Sequence, residues 1–139
     1  MKALTLTQPW ASLVILGVKR WETRGWSTAY RGPLAIHAAK GWTRDDIEFA
    51  VDLQVRGILP VDPESPAWAL QPMPRGAVLG TVELLSVHRS EQMHPSPLEA
   101  ELGDYSPGRW VWVLANPTPF PKPIPARGAL GLWEWERPS

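Results

Sequence analysis

The chain's 139 residues carry fourteen Lys and Arg against fourteen Asp and Glu, a formal net charge of zero, with no cysteine, sixteen prolines and nine tryptophans. That length fits one domain, residues 1–139, able to bury roughly two-thirds of its unfolded surface. The composition excludes a disulfide scaffold and any thiolate metal site, and neutrality argues against a strongly basic nucleic-acid binder.

The remaining metal chemistry is thin, because His37, His88 and His94 form no ligand spacing; no metal and no cofactor are expected. No stretch approaches about 18 consecutive apolar residues. Neither a signal peptide nor a membrane span is therefore expected, and the default address is cytoplasmic.

Lys2 to Thr7 alternates and predicts a short strand. Pro9 then changes the period, and Trp10, Leu13, Val14 and Leu16 predict a helix over 9–16 that Gly17 stops. Period two returns from Val18 to Arg24, with Trp21 and Thr23 on one face and Arg20, Glu22 and Arg24 on the other. After a loop over 25–31, Leu34 to Ala38 predicts a buried strand. Thr43 and Asp46 form a capping-box pattern for a helix over 44–56 ending at Gly57. Residues 58–75, with Pro60, Pro63, Pro66, Pro72 and Pro74, predict a loop or lid. Gly76 to His88 is the longest strand signal, Pro97 to Leu102 fits one helical turn, and Arg109 to Leu114 alternates as a strand. A proline-punctuated stretch follows before a last strand over 129–136. Five or six strands with early helices predict an α+β fold, a small β-barrel with flanking helices.

Neutrality hides a layout. Residues 1–44 hold seven basic residues against Glu22 alone, a net of +6, whereas 45–105 carry −8 and 106–139 carry +2. The basic third also holds Trp10, Trp21, Trp26 and Trp42, the composition of a phosphate-attracting surface with stacking side chains. Tryptophan in small β domains is more often core, and Trp110 with Trp112, like Trp133 with Trp135, sits at spacing two and shares a sheet face.

The densest group is Gly17-Val18-Lys19-Arg20-Trp21-Glu22-Thr23-Arg24. A glycine ending a helix frees the next backbone amides, Glu22 is a counterion for Arg20 or Arg24, and Lys19 stands at the helix–strand corner. Such a run is most often a solvated face. In a cleft that excludes water, Lys19 could instead serve as a base. Lys19, Glu22 and Arg24 are the catalytic candidates.

The spacing GxKxxExR from Gly17 to Arg24 resembles the signature of the ASCH domain family (activating signal cointegrator 1 homology) in the PUA-like barrel superfamily. The resemblance extends to Gln8-Pro9-Trp10-Ala11-Ser12, to Tyr30 through Lys40, to Gly80-Thr81-Val82-Glu83 and to Leu130-Gly131-Leu132-Trp133. It implies a PUA-like barrel whose signature lines a cleft for nucleic acid or a single base. Some relatives are amidohydrolases that use a threonine three positions after the lysine. Here that position is Glu22, and alternation turns Thr23 to the other strand face.

The resemblance and the charge layout together imply binding of RNA or DNA, single-stranded or through a flipped base, in a basic cleft, with no membrane partner. Lys19, Arg20, Arg24, Arg31 and Lys40 are expected on about three to five phosphates, Glu22 on Arg24 or a base, and Trp26, Tyr30 or Trp42 in a stack. A reader of a modified base or small ligand would use Gln8, Trp10 and Ser12 in the same cleft. A metal-independent ribonuclease or nucleoside-processing hydrolase using Lys19 is the enzymatic alternative. His37, among Leu34, Ile36 and Ala38, is expected as a packed strand residue.

Overall fold

A computed structural model describes residues 1–59 and 73–138. The loop or lid expected over 58–75 falls largely outside that range. The elements are β1 (Lys2–Leu6), α1 (Trp10–Ile15), β2 (Trp21–Arg24), β3 (Gly32–Ala38), α2 (Arg44–Val55), β4 (Ala77–Arg89), α3 (Pro97–Leu102), β5 (Trp110–Pro125) and β6 (Leu132–Glu134), with a 3-10 turn over Ser90–Gln92.

The strands form one six-stranded sheet in the order β2-β5-β4-β3-β1-β6, curled as a half-barrel with three flanking helices. Only β1 and β3 run parallel. Alternation divides the core. Leu4, Leu6, Leu34, Ile36, Leu79, Val82, Leu84, Trp112 and Leu114 bury one sheet face under α1, while Ala3, Ala35, Val78, Phe120 and Trp135 pack on the other. A third cluster, Leu13, Leu53, Leu59 and Leu102, ties the three helices together. Both halves of the capping box are made: Thr43 Oγ1 accepts from the Asp46 amide, and Asp46 accepts from the Thr43 amide. Among the described residues no helix is long and apolar enough to cross a membrane.

Two strand expectations change. β5 continues past Leu114 through Pro117, Pro119, Pro121 and Pro123 to Pro125, sixteen residues in all. Its neighbour β2 covers only Trp110–Val113, so among the described residues the rest of β5 is an edge, where a missing N–H breaks no ladder bond. Prolines recurring every second residue place those gaps on one side of an extended chain. Conversely β6 is only three residues long. Trp135 leaves it to pack on Phe120, with ring centroids 6.1 Å apart.

Candidate functional site

The corner between α1 and β2 sets the site. Gly17 adopts φ +78°, the left-handed conformation that closes a helix, and the amides of Val18 and Lys19 both donate to the Leu13 carbonyl at 3.0 Å. Those amides are thus not free for a ligand. The turn sends the Lys19 side chain inward, where it is fully enclosed; Nζ donates to the Trp21 carbonyl and lies 3.3 Å from Glu22 Oε1. Glu22 Oε1 also accepts from the Thr23 amide at 3.1 Å, and Oε2 lies 3.6 Å from Arg24 Nη1. Exposure rises along this row, from 0% for the Lys19 side chain through 7% for Glu22 to 26% for Arg24. The Arg24 guanidinium also sits 5.8 Å from the centre of the Trp26 ring, which meets Trp112 edge-on.

Glu22, Thr23 and Arg24 border a cleft of about 620 Å³ shared with Trp10, the first turn of α2, Phe49 and the segment Glu101–Asp104. Alternation alone would turn Thr23 away. β2 is an edge strand, so residues of both its faces reach the cleft, while the Thr23 hydroxyl accepts from the Asp104 amide at 3.0 Å. The aromatic part of the lining is Trp10 and Phe49, with ring centroids 5.5 Å apart; Trp10 Nε1 donates to the Leu102 carbonyl at 3.0 Å.

The cleft's charge balance differs from the basic surface expected. Besides Glu22 it is lined by Asp45, Asp46, Glu101 and Asp104, with Arg24 the one cation in the lining among the described residues. The acidic middle of the chain folds back onto the basic third, so segregation along the sequence does not survive in space. Most of these carboxylates are already held. Glu101 takes a two-pronged contact from Arg56, whose hydrogen bonds hold it below the usual carboxylate range. Asp104 is held low first by hydrogen bonds from Ser106, with Arg109 adding attraction. Tyr105, beside Trp21, has a buried hydroxyl with no hydrogen-bond partner among the described residues. Burial, then the charges of Glu99 and Glu22, push its pKa up. The result is a partly compensated, hydrogen-bonding surface. Among the described residues no group of three His, Asp or Glu is placed to hold a metal ion.

The other expected residues scatter. Gln8 and Ser12 are buried and bond each other: Gln8 Nε2 donates to Ser12 Oγ and to the Pro74 carbonyl, both at 2.8 Å, and Gln8 Oε1 accepts from the Ser12 amide. Arg20 is exposed, with its amide on Glu99 Oε2 at 2.8 Å. The Tyr30 hydroxyl donates to the Pro33 carbonyl, and Arg31 Nη1 folds onto the carbonyls of Thr28 and Tyr30 at 2.7 Å. Trp26 and Tyr30 pack against the main core. Lys40 and Trp42 lie at the far end of β3, Lys40 in a different concavity. Sequence reasoning missed Phe49, Asp45, Glu101 and Asp104 as cleft residues; Asp46 was visible only as a cap.

His37 is packed within β3. Trp133 Nε1 can only donate, so its 3.1 Å contact makes Thr5 Oγ1 an acceptor. The Thr5 hydroxyl then donates to His37 Nδ1 at 3.1 Å, and Nε2–H donates to the Ala126 carbonyl at 2.7 Å. This chain needs a neutral ring, and burial lowers the His37 pKa from its ordinary 6.5, partly opposed by the Ala126 bond. The unfolded chain therefore binds the extra proton first. Stability is full above about 6.5 and falls as pH drops through that value toward the lower folded pKa. Denaturant midpoints between pH 7.5 and 5 should fall more steeply for the native chain than for His37→Gln; equal slopes would contradict the assignment.

The ASCH domain family model matches residues 4–124. Activating signal cointegrator 1 of Mus musculus is 32% identical over 133 residues, covering 94% of this chain and 22% of the relative. Its Homo sapiens counterpart is 28% identical over 131 residues, with the same shares. The chain thus spans about a fifth of the length of these curated relatives. With the family match running through the Lys19–Glu22–Arg24 corner and most of the sheet, the chain belongs to the ASCH domain family.

Proposed function

We propose that this protein binds single-stranded RNA or DNA by taking one unpaired nucleobase into the cleft beside Lys19, Glu22 and Arg24. The carrying observation is that a cleft of about 620 Å³ joins the Trp10–Phe49 aromatic pair to the partly exposed Arg24 end of the Glu22–Arg24 ion pair. That volume lies in the usual range for small-ligand pockets, roughly 300–1,000 Å³. Carboxylates accept from the amino and imino groups of base edges, Arg24 donates to base carbonyls or to one flanking phosphate, and aromatic rings stack on any base. The family's association with nucleic acid supports the same reading. Lys19, enclosed beneath, positions Glu22 rather than meeting the ligand.

With Arg24 already paired to Glu22 and carboxylates prominent in the lining, the cleft implies weak dependence on salt. Anisotropy titrations with short labelled single strands should give a slope of log K against log salt near −1, as one or two phosphates would. Phe49→Leu, which removes the ring, and Arg24→Gln should each weaken binding about 5- to 10-fold, in line with about 1–3 kcal/mol for base stacking. Native affinity in both variants, or a slope matching five phosphates that neither variant changes, would reject the cleft.

A further inference from the structure

A second concavity, of about 980 Å³, lies at the other end of β3, where Lys40, Arg75 and Arg127 arrive from three separate segments. Among the described residues no Asp or Glu lines it. Among the described residues none of these three cations has a carboxylate within ion-pair distance, unlike Lys19, Arg24, Arg56 and Arg109 around the first cleft. Uncompensated positive charge is therefore gathered here.

The place is also built. Arg75 Nη1 donates to the Lys40 carbonyl at 2.6 Å, and its guanidinium carbon stands 5.1 Å from the centre of the Trp42 ring, so its fork is fixed without an anion. The segment carrying Arg127 is pinned beside it. His37 Nε2 holds the Ala126 carbonyl, and Gly128 lies so close to His37 that an added Cβ would come within 2.6 Å of the ring. Leu130, 98% exposed, stands at the rim.

We propose that this concavity binds a phosphate group carried on an organic ligand. Three cations with no carboxylate among them suit a dianion better than a single carboxylate, and an oriented guanidinium matches phosphate oxygens in a two-pronged contact. The cavity is larger than an inorganic anion needs, and Leu130 offers apolar surface to the rest of the molecule. The proposal does not rest on base binding in the first cleft.

The test is an amide and indole NMR titration of the full chain with three probes: inorganic phosphate, phenyl phosphate, and an oligothymidylate without terminal phosphates. The expected result is a saturable shift at Lys40, Gly76, Ala126–Gly131 and the Trp42 indole. It should weaken at least tenfold in Lys40→Gln/Arg127→Gln and stay unchanged in Arg24→Gln. Both replaced side chains are exposed and have no ion-pair partner among the described residues, and an unaltered spectrum elsewhere verifies the fold. Preference for phenyl phosphate identifies a monoester and preference for the oligonucleotide a phosphodiester, and either supports the site. No response to any probe, or one that persists in the double variant, overturns it. Loss of oligonucleotide binding in Arg24→Gln alone reports on the first cleft only.

Discussion

Glu22→Ala is expected to destabilise the protein by about 3–5 kcal/mol, the cost of removing one partner from a buried ion pair. The Lys19 side chain has no exposed surface, and without Glu22 its ammonium keeps only the Trp21 carbonyl. The reverse change is milder. Lys19→Met fills similar space with an apolar chain, and Glu22 retains the Thr23 amide and Arg24. It should cost clearly less, and Lys19→Met/Glu22→Met should recover most of the Glu22→Ala loss, since a buried pair is often replaceable by apolar residues. Urea unfolding of the variants measures this directly; equal losses for Glu22→Ala and Lys19→Met would show that Lys19 is not held by Glu22.

Gly80→Ala is the second large effect. A Cβ at Gly80 would lie 2.3 Å from the Thr118 carbonyl oxygen and 2.9 Å from Pro119 Cα, both backbone atoms of β5. The pairing is irregular here: Gly80 faces Pro119 while Val78 faces Ile124, so five residues of β5 are advanced against two of β4. The close approach lets β5 turn this corner, and a side chain there must push the strands apart. The expected loss is at or above about 1–3 kcal/mol, typical of overpacking. Gly41→Ala, with nothing within 4 Å of its added carbon, should stay within about 0.5 kcal/mol. A thermal midpoint for Gly80→Ala matching that of Gly41→Ala would contradict the packing.

What could be read in the sequence was mostly local. The capping box at Thr43 and the turn at Gly17 are contained within a few residues, and both form as their spacing implies. The prolines of β5 misled because a ladder's tolerance of proline depends on which side has a neighbour, and that is set by β2, some ninety residues away in sequence. The signature corner was legible as a cluster of charges, but not its order of burial. Lys19, expected at the helix–strand corner on phosphate, is the most enclosed cation of Gly17–Arg24. Charge segregation along the chain likewise gave no warning that Glu101 and Asp104 would close on Glu22. Three cations without an ion-pair partner among the described residues meet instead around Lys40, where Arg75 and Arg127 are distant in sequence.

The proline spacing of β5 has a consequence for how molecules meet in concentrated solution. A bare sheet edge is a template onto which another chain can add a strand, the first step of ordered aggregation. Along 117–125 every second residue lacks the N–H such a strand would need, so an incoming chain finds acceptors with few donors and cannot zip. Changing Pro121 and Pro123 to Thr restores two donors, and would turn this long edge into a place where copies stack.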